Sequence, residues 1–112
     1  MARAPQATDF NVEVEGVGTF VFGRRSTSDV YKIRGRYNAL TEGNYGEDGR
    51  MNDVGALAFV TLQTLLVSSP ESFDMASLDP LMDDDFDEKV VKVFAALRAK
   101  ELSFRSGEKA AG

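Results

Sequence analysis

The sequence predicts an α+β chain, mainly α, in which an N-terminal β-hairpin packs on a small bundle of three or so helices. Three observations carry that class. Apolar and polar residues alternate between Phe10 and Phe22, apolar residues then recur at three- and four-residue spacings over three separate stretches, and 43% hydrophobic content in 112 residues suffices for one core. The expected organisation is a disordered leader over 1–8, one domain over 9–105 and a frayed tail over 106–112.

Phe10, Val12 and Val14 alternate with Asn11, Glu13 and Glu15, the period of a half-buried strand. Gly16-Val17-Gly18 supplies a tight turn into a second strand, Thr19-Phe20-Val21-Phe22. An isolated hairpin is marginal in water, so its phenylalanines must pack on the helices that follow.

Hydroxyls in Ser26-Thr27-Ser28 suit a helix start, and Asp29 lies near the positive end of the helix dipole. A first helix is predicted over 27–41, with Val30, Ile33, Tyr37 and Leu40 as one apolar stripe spaced three, four and three. Gly35 interrupts it and implies either close packing at that point or an imperfect helix. The stretch 42–50, with three glycines and an asparagine, reads as a mobile loop.

A second helix starts near Asn52 or Asp53. Its stripe of Val54, Leu57, Ala58, Thr61, Leu62 and Leu65 is widened by Phe59, Val60 and Leu66 until it is apolar nearly all round, as expected of a central helix or an oligomer interface. Ser68-Ser69-Pro70 stops it, and a linker from Glu71 to about Met82 is expected to wrap the bundle. The third helix begins in Asp83-Asp84-Asp85, where carboxylates favour the dipole, and carries Phe86, Val90, Val93 and Leu97, with Leu102 and Phe104 closing the packed region.

Composition narrows the function. The chain has no Cys, His or Trp, so thiol nucleophiles, disulfides, iron–sulfur clusters, Ser-His-Asp triads and His/Cys zinc sites are excluded. Aspartates 83, 85 and 87 fail as a calcium loop, because Glu88 stands where the turn needs Gly and Phe94 where a bidentate Glu is needed. Gly16-Val17-Gly18 is followed by a strand and lacks the third glycine of a dinucleotide fingerprint. The residues therefore predict no enzyme, no cofactor and no metal.

The net charge of -5 lies wholly in residues 51–112, since 1–50 hold seven basic and seven acidic groups. Between 71 and 88 there are eight acids and no base. Such a surface argues against nucleic acid. The start lacks a secretory apolar stretch, and Val54–Pro70, though uncharged, is broken by Thr61, Gln63, Thr64, Ser68 and Ser69, so neither a signal nor a membrane partner is predicted and the cytosol is expected. Arg24, Arg25, Lys32, Arg34 and Arg36 form a local basic cluster, read as the complement of the 71–88 segment, with Asp83, Asp84 and Asp85, in the same or a neighbouring copy. Leu62, Leu65, Leu66, Val90, Phe94 and Leu97 are expected to line the core and an exposed margin that takes a partner.

The succession of weak motifs also resembles one family. Gly23-Arg24-Arg25-Ser26-Thr27-Ser28-Asp29 after a short strand pair, Tyr37-Asn38-Ala39-Leu40-Thr41-Glu42-Gly43, an Ala/Leu helix, Pro70-Glu71-Ser72-Phe73-Asp74, Leu78-Asp79-Pro80-Leu81 and Val93–Arg105 are together similar to tail assembly chaperones of long-tailed bacteriophages and prophages. The resemblance covers about residues 10–105. It implies a small, largely helical, self-associating and non-catalytic protein of the host cytoplasm, which coats the tape measure protein and recruits tail tube subunits. Members are mainly helical, so the N-terminal hairpin departs from the pattern. The rival reading is a small structural tail or connector protein retained in the virion.

Overall fold

The computed structural model describes residues 4–71, 73 and 86–111, and for 86, 87 and 105–111 the backbone alone. Its elements are β1 (Phe10–Val14), β2 (Gly18–Phe22), α1 (Thr27–Thr41), α2 (Val54–Leu65), β3 (Leu66–Ser68) and α3 (Phe86–Ala111). The chain is thus α+β and mainly α, as the sequence predicts.

The alternation between Phe10 and Phe22 becomes an antiparallel hairpin in which Phe10 faces Phe22, Val12 faces Phe20 and Val14 faces Gly18. Val12, Val14, Phe20 and Phe22 all point to one buried face. The turn closes through Val17 N–H donating to the Val14 carbonyl at 3.0 Å. Before the hairpin, where a disordered leader is expected, residues 4–8 are exposed, and Gln6 and Asp9 close a turn by exchanging two hydrogen bonds.

The sequence did not show β3. It pairs antiparallel with β2, giving a three-stranded sheet in the order β1-β2-β3 with a bulge between Val21 and Phe22. Its Leu66-Val67-Ser68 continues the apolar run of α2, so local periodicity extends the helix through Leu66; the switch is made by pairing with a strand some 45 residues earlier.

α1 has the predicted bounds. Ser26 caps it in a reciprocal box, the Asp29 N–H donating to Ser26 Oγ at 3.1 Å and the Ser26 N–H to Asp29 Oδ2 at 2.9 Å. The four-residue stripe is corrected, however: Ile33 and Tyr37 are buried, while Val30 and Leu40 stand 42% and 54% exposed. The described packing partner of α1 is α2, which covers one residue per turn. Gly35 is neither tightly packed nor a helix break, since a Cβ there would meet nothing within 4 Å and the helix runs through it. Gly35→Ala is accordingly expected to raise stability by about 0.5–1 kcal/mol, read as a higher urea midpoint at unchanged slope.

The 42–50 loop is tied down at its ends rather than loose. Glu42 ends α1 in the left-handed region, Tyr45 and Met51 form a β-bridge, and the Tyr37 hydroxyl both donates to the Asn44 carbonyl and accepts from Asp53 N–H at 3.0 Å. Asp53 caps α2 by accepting from Ala56 N–H.

α2 is the central helix predicted from its all-round apolarity. One side joins the main core, where Ala58, Leu62 and Leu65 meet the sheet face, Leu66, Phe73 and Val90, Val93 and Leu97 of α3. The other side puts Val60 against Ile33 and Tyr37 of α1 in a smaller core. Thr61 and Thr64 are buried there without cost in unpaired hydroxyls, because each donates to the carbonyl four residues earlier, at 2.7 and 2.8 Å. α3 continues to Ala111, past the point where the sequence predicts fraying.

Candidate interaction surface

Of the six side chains expected to line the core and the exposed margin that takes a partner, five are in the core: Leu62, Leu65, Leu66, Val90 and Leu97 are each 8% exposed or less. Only Phe94 is half-buried, packed against the main core from its edge. A partner reaching α3 from outside therefore meets Phe94 and not the other five. Exposed apolar area lies elsewhere, at Val30, Tyr31 and Leu40 on α1, Val54 at the start of α2, and Leu102 and Phe104 on α3.

The α3 part of that surface is organised by aromatics. Phe104 is 38% exposed and stands edge-on to Phe10 of β1, with ring centroids 5.0 Å apart, while Lys100 Nζ lies 5.8 Å from the Phe104 centroid. Leu102 and Phe104, expected to close the packing, instead overhang it, because the buried series on α3 ends at Leu97. A signal for this was present: Arg98, Lys100 and Glu101 interrupt the apolar spacing after Leu97.

The basic cluster is redistributed by the fold. Arg25 forms a two-pronged pair with Glu101 of α3, both contacts at 3.1 Å, and Arg98 reaches the same carboxylate at 2.7 Å. Glu101 is only 14% exposed, so this clamp fixes the head of α1 to the second half of α3. Arg25 thus finds its partner outside the 71–88 segment, where the charge pattern alone had placed it. Arg36 donates to Thr64 Oγ1 at 3.0 Å. Arg24, Lys32 and Arg34 are exposed, whereas Asp83, Asp84 and Asp85 lie outside the described residues, as does most of the linker expected to wrap the bundle. Glu101→Gln is expected to cost about 1–2 kcal/mol, leaving two guanidinium groups facing a neutral amide, and the loss should appear as a lower thermal midpoint with little dependence on salt.

Among the described residues no group of three or more acidic side chains could hold a metal ion, and no helix is long and apolar enough to cross a membrane. The surface offers contact chemistry: among the described residues, exposed apolar side chains lie on α1, at the start of α2 and on the second half of α3. Tyr31, 68% exposed, is the residue that stripe reasoning passed over, although its place two residues out of step with Ile33 and Asp29 puts it on the far side of α1. Compared with protein-family models, with curated proteins and with solved structures, the chain finds no match.

Proposed function

We propose that the chain is a tail assembly chaperone: a non-catalytic host-cytoplasmic protein that binds and solubilises the tape measure protein, helps recruit tail tube subunits and associates with its own copies. The motif succession from Gly23 to Arg105 supports the family, and the observation that carries the binding role is the apolar overhang of α3. Half-buried Phe94, exposed Leu102 and the Phe104–Phe10 pair offer a helical tape measure segment apolar contacts beside a filled core. Self-association and tube recruitment come from the resemblance alone.

Co-expression with the tape measure protein tests the reading. The tape measure should be soluble and retained with the tagged chain, and insoluble without it. Leu102→Glu, at a half-exposed position, should leave the chain folded and lower the retained fraction several-fold. A tape measure equally soluble with and without the chain would remove the proposal. Presence of the chain in purified virions at stoichiometric levels would favour the rival structural role.

A further inference from the structure

We propose that Asp48-Gly49 is a modification site of the chain, where aspartate rearranges to isoaspartate through a cyclic imide at a rate set by the surrounding turn. The Gly49 nitrogen attacks the Asp48 side-chain carboxyl carbon and forms a C–N bond. The carboxyl hydroxyl leaves with the amide hydrogen as water, and no oxidation state changes. Water then opens the five-membered ring at either carbonyl. One opening restores aspartate; the other routes the main chain through Asp48 Cβ and leaves the former main-chain carboxyl as the side group. Water is the only co-reactant, and the inference does not rest on a chaperone role.

The sequence singles out the position. A side chain on the residue after the aspartate crowds the attacking nitrogen, and glycine has none. The chain contains ten aspartates, and Asp48 is the only one followed by glycine; no asparagine is. Asp9, Asp29 and Asp53 precede Phe10, Val30 and Val54, and the carboxylates of Asp29 and Asp53 are further held in helix caps.

The fold leaves this dipeptide accessible but restrained. Residues 47–50 are exposed, and Gly49, at φ +78, has nothing within 4 Å of the place a Cβ would occupy, so the ring has room to close. Both reacting groups are engaged elsewhere, however. The Gly49 N–H donates to the Gly46 carbonyl at 3.0 Å, and Asp48 Oδ1 accepts from the Arg50 N–H at 3.1 Å. Gly46 N–H to the Arg50 carbonyl, at 2.8 Å, and the Tyr45–Met51 bridge close the turn beneath them. Arg50 Nε also lies 3.2 Å from Asp48 Oδ2, but with both side chains largely exposed this pair adds little. The restraint is therefore the backbone turn, and unfolding it frees the amide and the carboxyl together. Once formed, isoaspartate adds one main-chain atom inside the Gly46–Arg50 loop, which that closure does not accommodate.

The test ages the full chain at neutral pH and raised temperature, folded in buffer and unfolded in guanidinium. Isoaspartate is counted by enzymatic methyl transfer and located by peptide mapping. It should accumulate at Asp48 in the folded chain and several-fold faster in the unfolded one, and amide resonances of Tyr45 and Met51 should shift in the aged folded product. Asp48→Glu, an exposed change that keeps the charge but requires a less favourable six-membered ring, should remove the signal while leaving the fold intact. Absence of isoaspartate from Asp48 in the folded chain, earlier accumulation at another position, a signal that persists in Asp48→Glu, or equal rates with and without guanidinium would overturn the proposal.

Discussion

Phe20→Ala is expected to remove roughly 3–5 kcal/mol of folding stability, a large part of the ~5–15 kcal/mol that a domain of this size possesses. The ring is fully buried at the middle of the sheet face, parallel to Phe22 with centroids 6.0 Å apart and edge-on to Phe73 at 5.1 Å. Truncation empties the place where the hairpin, α2 and α3 meet, and the strands cannot collapse into it without losing the register that sets Phe20 opposite Val12. Chemical denaturation should show a lower midpoint at similar slope. A double-mutant cycle with Phe73→Ala should return a coupling of about 0.5–1.5 kcal/mol beyond the separate losses. A Phe20→Ala chain of near-wild-type stability would mean that the sheet face does not pack as described.

Gly18→Ala should be nearly as damaging although it adds only a methyl group. Gly18 has φ +142, a conformation that residues with a side chain rarely adopt, and its Cβ would stand 2.8 and 2.9 Å from Cβ and Cγ of Pro70. Strain of about 1–3 kcal/mol and overpacking of similar size act together, for an expected loss of roughly 2–5 kcal/mol. Gly43 provides the comparison, since it has φ +82 but open space around it, so Gly43→Ala should lose only the strain. Combining Gly18→Ala with Pro70→Ala should restore part of the difference, the part due to contact. If Gly18→Ala and Gly43→Ala cost the same, Pro70 does not cover the hairpin.

These two positions also show what was legible in the sequence. Phe20 was readable as core because alternation is a local signal, and the turn was readable because glycines mark it; the cover that Pro70 places over Gly18 belongs to a contact between residues 52 apart, for which no spacing rule exists. The bounds of α1 and the central place of α2 followed from caps and apolar periodicity. Periodicity overstated the buried face of α1, since a stripe tells which side turns inward but not how wide the neighbour is; Val30 and Leu40 lie at the margin that α2 does not cover. For the same reason, the six residues assigned by helical spacing to the core and its partner-taking margin divide into five core positions and one edge position, Phe94.

Charge was the least legible property. Counting acids and bases along the chain directs Arg25 toward the densest acidic segment, but an ion pair is decided by which side chains the fold brings within reach, and that was a single glutamate 76 residues away. Asp29 was rightly placed at a helix start, yet its role is to hold the Ser26 N–H, a stronger and more specific task than favouring the dipole.

The unequal division of apolar packing by α2 has a dynamic consequence. The main core gathers twelve buried residues from the sheet, α2, Phe73 and α3, while the smaller one has three, Ile33, Tyr37 and Val60, with Tyr45, Met51, Ala56, Leu57 and Phe59 half-buried against them. Opening the α1 side exposes less apolar area than global unfolding, so the α1 amides are expected to exchange with solvent sooner than those of the sheet, α2 and α3. The Arg25–Glu101 pair ties the residue before the α1 cap to α3, so Glu101→Gln should speed exchange in α1 more than in the other elements.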